Sequence, residues 1–372
     1  MLGDERKFLS SELINRIVDD IHYNGTDIYA QKTEWIACVG QRTNGKSFFW
    51  LAICTMEFFE FGYHLAYVRR QKEETTITGI EEYFLDKNYL TFLKKYYGFD
   101  GVICKEKKLY FVAYDEDGKI IKEQSTLFGK AFSLSTARNF KSLHYDLIEN
   151  ILFEEFITDG LYIANEWKKW NNLMSTIFRD RKGRVILIGN TIERNCPYFR
   201  EMGVNILKLK QGTITRYQSD DVDFLVEYTG VTQQKNKMFI GQVSRQINKG
   251  EWDSNTYPHL FCNIDEQEKL YTFYYCYNEF CFKCVVFIFN DNKYMFIRPY
   301  NKEHLEYNYY DDIFEKGFHL EQNFYNLAQK KRHRKIWELF LYNKVVYSDN
   351  LCGTEFNNCL KYFNPFINAK RI

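Results

Sequence analysis

The eight residues Gly40-Gln-Arg-Thr-Asn-Gly-Lys-Ser47 match the spacing G-x-x-x-x-G-K-[ST]. That spacing builds a phosphate-binding loop when a strand precedes it and a helix follows. Loop N–H groups then point at a phosphate, and the dipole of the following helix favours its charge. Gly40 and Gly45 allow the tight turn, and Gln41, Arg42, Thr43 and Asn44 complete the cradle. Lys46 reaches the β- and γ-phosphates of ATP, and Ser47 offers its hydroxyl to Mg2+.

A second set lies downstream. The apolar run from Leu147 to Phe153 ends in Glu154-Glu155, a Walker B pattern. The first acid holds the Mg2+ shell and the second orients and activates the attacking water. The usual first acid is Asp. The longer Glu154 is accommodated if the metal is held through water. The strand Val185-Ile-Leu-Ile188 then ends in Gly189-Asn190-Thr191, which puts Asn190 where it can touch the γ-phosphate or its water. Just before that strand stands Arg179-Asp-Arg181-Lys-Gly-Arg184. An arginine there, at the domain edge, can stabilise charge on a neighbouring subunit's transferred phosphoryl group. Solvent exposure is the ordinary fate of such arginines.

These groups need a parallel sheet to hold them. Trp35 to Val39 reads as a buried strand and Phe48 to Phe61 as an apolar helix. Tyr63 to Val68 is a second buried strand, ending in Arg69-Arg-Gln-Lys72. Open α/β sheets place ligand-contacting loops at strand C-terminal ends, so that basic tip reads equally as a contact loop or a solvated one. Ahead of the first strand an amphipathic helix is expected from Ser11 to His22, near the adenine. Residues 73–132 read as a β-rich insertion. It carries a helical pattern from Ile80 to Lys95 and a hairpin signal at Asp115-Glu-Asp-Gly118. The polar, basic stretch from Ser133 to Lys141 reads as a DNA-facing loop or a plain connection, and Ala164 to Phe178 as a helix.

Past Pro197, with Gly203, Gly212 and Asp220-Asp-Val-Asp223, the sheet pattern fades into an expected linker or lid. A second domain should follow. Leu270 to Phe289 and Lys293 to Pro299 read as antiparallel strands around the turn Asn290-Asp-Asn292. Next come a helix at about Glu321 to Leu341, the strand Lys344 to Tyr347, and a helix from Gly353 to Phe363. This order fits an RNase H-like α/β domain. A nuclease of that fold needs carboxylates converging on two metals. The strand from Tyr271 to Glu279 offers Tyr and Cys where an inward Asp is required, leaving Asp349 near the late strand as a remnant of a lost site, with Glu279 and Asp291 at strand ends. Lys330-Lys-Arg-His-Arg-Lys335 is a basic run that reads as a nucleic-acid or capsid contact, or as a solvated face.

The chain has 372 residues, enough for two cores. It is 45% apolar and 18% aromatic with four prolines, which excludes long disorder. Net charge is +1, so any nucleic-acid contact must come from local basic loops. No stretch approaches a membrane span, the N-terminus lacks a signal-peptide core, and no membrane partner is expected. The ten cysteines lack framework spacing and read as reduced, buried thiols, Cys281 and Cys284 included. The expected fold is α/β: an ASCE-type P-loop ATPase domain over 1–197, a linker over 198–230, and an RNase H-like, vestigial nuclease domain over 231–372.

The order of parts resembles the DNA-packaging ATPases of small short-tailed bacteriophages. The likeness rests on Tyr67 to Lys72, Phe153 to Phe156, Trp170 to Arg181, Val185 to Asn190 and Asn195 to Phe199. It covers most of 30–200 and continues weakly to the C-terminus. It implies a homomeric ring, usually a pentamer, that drives double-stranded viral DNA into a procapsid at the portal. It implies Arg179 as the finger acting in trans, and Lys72 in a pore-facing loop that grips DNA. It also implies a nuclease-like C-terminal domain. The place of action is then the host cytoplasm, transiently at the portal vertex. Rivals are another P-loop translocase or helicase, a nuclease gated by its ATPase, and a nucleotide-switched DNA clamp.

Overall fold

In the computed structural model the described residues are 6–121, 125–136, 145–160, 162–219, 222–233, 237–277, 280–301 and 331–363. The chain divides into two compact units. The first comprises 1–192, 201–204 and 209–251; the second comprises 193–200, 205–208 and 252–372.

Unit one is a nine-stranded sheet. Its strands are β1 (Trp35–Gly40), β2 (His64–Arg69), β3 (Gly101–Lys105), β4 (Lys108–Val112), β5 (Thr126–Ser133), β6 (Ile148–Glu154), β7 (Arg184–Asn190), β8 (Thr213–Ser219) and β9 (Val222–Tyr228). Their order is β3-β4-β5-β2-β6-β7-β1-β9-β8. The six from β5 to β9 are parallel, and β3, β4 and β8 run antiparallel to their neighbours. Strands such as VILIG and WIACV are continuous apolar runs because both faces of a parallel sheet are covered. One extra strand, β7, stands between the phosphate-loop strand β1 and the Walker B strand β6. That insertion is the mark of the ASCE-type P-loop ATPase fold.

The helix Lys46–Phe61 is buried over most of its surface, with Phe49 to Glu57 all inside. Glu57 anchors it from below. Its carboxylate accepts from Arg184 (2.8 Å), Arg6 (2.8 Å), Asn150 (2.9 Å) and Tyr29 (2.8 Å). A carboxylate so fully partnered ties the helix to the starts of β6 and β7, and loss of one partner costs about 3–5 kcal/mol. Arg184, one of the arginines in the run before β7, is therefore a buried anchor.

Several expected boundaries move. The stretch 198–230 is no linker in this structure. It holds β8 and β9, and β9 pairs directly with β1. Its glycines mark turns between short elements, and Gly203 and Gly212 both take positive φ. Unit one continues to Glu251, beyond the expected start of the second domain at 231. The N-terminal helix spans only Ser11–Ile14, followed by turns. The pattern from Ile80 to Lys95 is two helices, Ile77–Tyr83 and Lys87–Tyr97, because Asp86 caps the second by accepting from Tyr89 N. The insertion 73–132 joins the main sheet through β3, β4 and β5, and the hairpin at Asp115 closes through the Tyr114–Ile120 bridge. Residues 137–144, including Arg138 and Lys141, lie outside the described residues, as do Asp220, Asp221, Glu279, Lys330 and the span 302–330.

Unit two holds β10 (Glu268–Tyr277), β11 (Phe280–Phe289), β12 (Asn292–Pro299) and β13 (Val345–Tyr347), in that order. The first three form an antiparallel meander, and β13 lies parallel to β12. Asn290 and Asp291 both take positive φ, as a two-residue type I′ hairpin turn requires. Helices follow at Lys331–Leu341 and Asn350–Phe363. Cys276 and Cys281, facing each other across β10 and β11, are disulfide-bonded, contrary to the reading of ten reduced thiols. The sequence hides this pairing because it depends on the hairpin register. Cys284 keeps its thiol and is buried.

Candidate active site

The loop between β1 and the helix Lys46–Phe61 has the geometry its glycines demand. A Cβ on Gly40 would run into the Thr229 hydroxyl, so the position favours glycine. Gly45 takes φ +93°, in the region glycine favours. Gln41 and Asn44 are buried; Arg42 and Thr43 are exposed at the loop's crest. Asn44 Nδ2 donates to Thr229 Oγ1 (3.3 Å), and Gln41 Oε1 accepts from Thr232 N (3.1 Å). Both side chains thus brace the loop against the chain beyond β9.

Lys46 is buried beneath this loop. Its ammonium donates to Gln41 O (2.5 Å) and Asn44 Oδ1 (3.1 Å), and reaches Asn190 Oδ1 at 3.5 Å. Asn190 is there because β7 runs parallel beside β1, with Asn190 in register with Gly40. Burial pulls the Lys46 amine down to about 8, against the opposing pull of nearby Cys38, Glu154 and Glu227.

A cavity of about 440 Å³ opens over the C-terminal ends of these strands. Lys46, Ser47, Glu154, Glu155 and Asn190 all line it, with His22 and Tyr83. Glu154 ends β6 and is buried, and its Oε1 meets no hydrogen-bond partner. Burial pushes its carboxyl above the usual range, while the neighbouring Tyr83 and Ser47 hydroxyls favour the charged form. An orphaned carboxylate oxygen beside a phosphate-loop serine suits a hard divalent cation, which takes oxygen ligands and keeps several waters. The residues present therefore fit Mg2+. Among the described residues no cluster of three His, Cys, Asp or Glu forms an all-protein metal cage.

Glu155 follows at φ +56°, a conformation non-glycine residues rarely take and one that recurs at functional sites. Arg70 holds it there. The guanidinium donates to Glu155 O (2.9 Å) and Phe156 O (2.8 Å), with Nε 3.1 Å from each Glu166 oxygen. Arg69 takes the side chain itself, donating to Glu155 Oε2 (2.8 Å) and to Glu74 Oε1 (2.7 Å). So two of the three cations expected to invite a function at the tip of β2 are engaged with the acidic pair. The third, Lys72, is exposed in the turn beyond and does not line the cavity.

Arg179 sits at the C-terminal end of the helix Glu166–Phe178, exposed and also outside the cavity lining. Its neighbours are committed elsewhere: Arg181 donates to Asp146 O (2.8 Å), Tyr145 O (2.9 Å) and Glu149 Oε1 (2.6 Å), and Arg184 is the buried anchor. Sequence reasoning missed Tyr83. It ends a short helix with no motif, and only the fold brings its buried hydroxyl beside Glu154. In unit two, Asp349 accepts from Cys352 N (2.8 Å) and from Ser348 Oγ (2.8 Å), so this expected remnant of a metal site serves as a helix cap.

The family model for the Podovirus DNA encapsidation protein (Gp16) matches residues 18–298. The DNA packaging protein of Bacillus phage phi29 is 31% identical over 165 residues, 43% of this chain and 44% of that one. The DNA packaging protein of Bacillus phage B103 is 32% identical over 170 residues, 45% of this chain and 47% of that one. The chain thus spans about half the length of the curated relatives it matches. A chain of the bacteriophage Phi-29 viral genome packaging motor assembly shares the fold. It has a TM-score of 0.53 at 18% identity, covering 92% of this chain and 100% of the other. With a match over residues 18–298, the chain belongs to the Podovirus DNA encapsidation protein (Gp16) family.

Proposed function

We propose that this chain binds ATP in the cavity of unit one and hydrolyses it to move double-stranded viral DNA into a procapsid. The observation that supports this best is convergence. Lys46, Ser47, Glu154, Glu155 and Asn190 come from the ends of two neighbouring strands and one helix start, and they line one cavity. Each has a distinct task. Lys46, already aimed at oxygen acceptors, turns to the β- and γ-phosphates. Glu155 orients and deprotonates the attacking water. Asn190 hydrogen-bonds the γ-phosphate or that water. Ser47 and Glu154 hold Mg2+, which neutralises phosphate charge when bound, and the Tyr83 hydroxyl steadies the long Glu154 side chain.

The remaining parts belong to assembly. Arg179, exposed and away from its own cavity, serves a neighbouring subunit's nucleotide in a homomeric ring, for which five subunits is our working number. Lys72 grips DNA in the pore. The ring works at the portal vertex in the host cytoplasm. The meander, helix and parallel strand of unit two suit an RNase H-like origin. With Asp349 acting as a cap, we assign it no cutting step. The test is steady-state ATP hydrolysis across protein concentration, with and without duplex DNA. Turnover that rises with concentration and with DNA supports a DNA-driven ring. ATP binding with negligible turnover would leave the nucleotide-switched clamp instead.

A further inference from the structure

The edge of unit one carries a row of lysines that the nucleotide site does not use. In the β3–β4 ladder Lys105 stands opposite Lys108, and in the β4–β5 ladder Lys108 stands opposite Lys130. Directly opposed residues share a face, with Cβ atoms about 5 Å apart. At this end of the edge strands that face meets solvent. Val102, Cys104, Leu109 and Phe111 point into the core cluster shared with the helix Lys46–Phe61, so alternation puts Lys105 and Lys108 on the other side. Lys105 and Lys108 are exposed; Lys130 is half-buried, with its ammonium 5.1 Å from the Tyr145 ring centre and 5.8 Å from that of Phe132. Among the described residues none of the three has an ion-pair partner. Lys107 and Glu106 occupy the turn between β3 and β4.

Like charges placed opposite one another are destabilising. Each such pair repels by roughly 1 kcal/mol in water at this spacing. Burial and the neighbouring Lys108 and Lys107 all pull the Lys130 amine below its usual range. A sheet that breaks a local rule without internal compensation is expected to do so where it functions. The row also lies at a telling end. β5 runs parallel to β2 with Ser133 beside Arg69, so Lys130 is about 10 Å back from the strand tip that leads to Lys72.

From this placement we infer that Lys105, Lys108 and Lys130 form a second contact for the phosphate backbone of duplex DNA, on the same end of the sheet as the Lys72 loop. A single small anion needs converging donors. A row of lysines on three adjacent strands, whose backbones lie about 4.8 Å apart, suits a run of anions instead. Adjacent Tyr145 and Phe132 rings support the half-buried member from below. This inference rests on the reading of the chain as a DNA motor and adds a site to it.

The experiment measures affinity for a fluorescent DNA duplex against salt, by anisotropy, for wild type and for Lys105→Gln/Lys108→Gln/Lys130→Gln. Each lost phosphate contact lowers the log–log salt slope by about 0.9, so the triple variant should lose roughly 2–3 units of slope and bind at least about tenfold more weakly at low salt. Its melting temperature should equal or exceed that of wild type, because repulsion has been removed. If the triple variant does not fold, Lys108→Gln alone should still lower the slope by about 0.9. An unchanged slope in a protein that binds DNA overturns the lysine row and leaves the motor reading intact. A slope change seen with an RNA duplex and not with DNA overturns the assignment to DNA. Wild type that fails to bind duplex DNA at all overturns the motor reading itself.

Discussion

Arg69 donates to the Glu155 carboxylate at 2.8 Å and to Glu74 at 2.7 Å. One guanidinium therefore joins Glu155, the water-activating acid we propose, to the turn that carries Lys72. That contact fixes where the Glu155 carboxylate points. In the proposed motor, displacing the turn is the route by which DNA at Lys72 changes hydrolysis. Arg69→Ala should retain ATP binding and lose the difference between DNA-stimulated and basal ATPase rates. A variant that keeps full stimulation would show that this link carries no signal.

Glu155→Gln removes the base and keeps the shape. It should bind ATP with wild-type affinity and hydrolyse it about 10²–10⁴-fold more slowly, the usual contribution of a positioned base. Lys46→Ala should instead weaken nucleotide binding as well as turnover. Equilibrium titration with a fluorescent ATP analogue, set beside steady-state rates, separates the two.

Tyr83→Phe deletes one hydroxyl beside the orphaned Glu154 oxygen. Nucleotide affinity in EDTA should be unchanged, while the gain in affinity on adding Mg2+ should shrink several-fold, on the scale of about 0.5–1.5 kcal/mol for one hydroxyl contact. An unaltered Mg2+ gain would remove Tyr83 from the metal's surroundings.

Glu227 sits on β9 beside Cys38, accepting from the Tyr23 hydroxyl. Burial raises its carboxyl to about 7 from an ordinary 4.5, against the hydrogen bonds from Tyr23 and Cys38 and the Lys46 charge. The folded protein thus holds a proton that the unfolded chain releases above 4.5. The sign follows: the contribution is fully present below 4.5 and fades as pH rises through about 7. Its size is on the order of 3 kcal/mol. Melting temperature should fall between pH 5 and 8 in wild type, and Glu227→Gln should flatten that fall.

How much of this was legible beforehand varies by element. The central strands and the phosphate loop were readable because covered parallel strands are unbroken apolar runs and the loop needs glycine at fixed places. Glu154, Glu155 and Asn190 followed from strand order alone. Arg69, Arg70 and Tyr83 were not assignable, because their roles depend on which strand tips lie side by side. The stretch 198–230 misled for a related reason. β8 and β9 are a sheet-edge pair, where β8 reads Thr-Ile-Thr-Arg-Tyr-Gln-Ser, and polar alternation beside glycine turns looks like connection. The Cys276–Cys281 bond depends on hairpin register, which spacing in the chain does not reveal.

Asp349 was read from its position near a late strand as a metal remnant, and the structure makes it a cap. Asp349→Ala should destabilise unit two by about 1 kcal/mol. Purified protein should show no nicking of plasmid DNA in Mg2+ or Mn2+. Metal-dependent nicking that disappears in Asp349→Ala would restore the nuclease reading.

The exposed Arg179 should act across a subunit boundary. Arg179→Ala alone should bind ATP and turn over about 10³-fold more slowly or worse. Mixed with Lys46→Ala subunits it should regain hydrolysis, since some interfaces then join an intact phosphate loop to an intact arginine. Co-assembled mixtures with no recovery would argue that Arg179 serves its own subunit.

The central claim is that hydrolysis at the Lys46–Glu155 cavity moves duplex DNA. Displacement of a fluorescent third strand from a DNA triplex tests it most directly, because a motor tracking along the duplex must strip that strand. Wild type with ATP and Mg2+ should release it, and Glu155→Gln should bind the same duplex and release none. Wild type that hydrolyses ATP on the duplex while the third strand stays in place would contradict translocation.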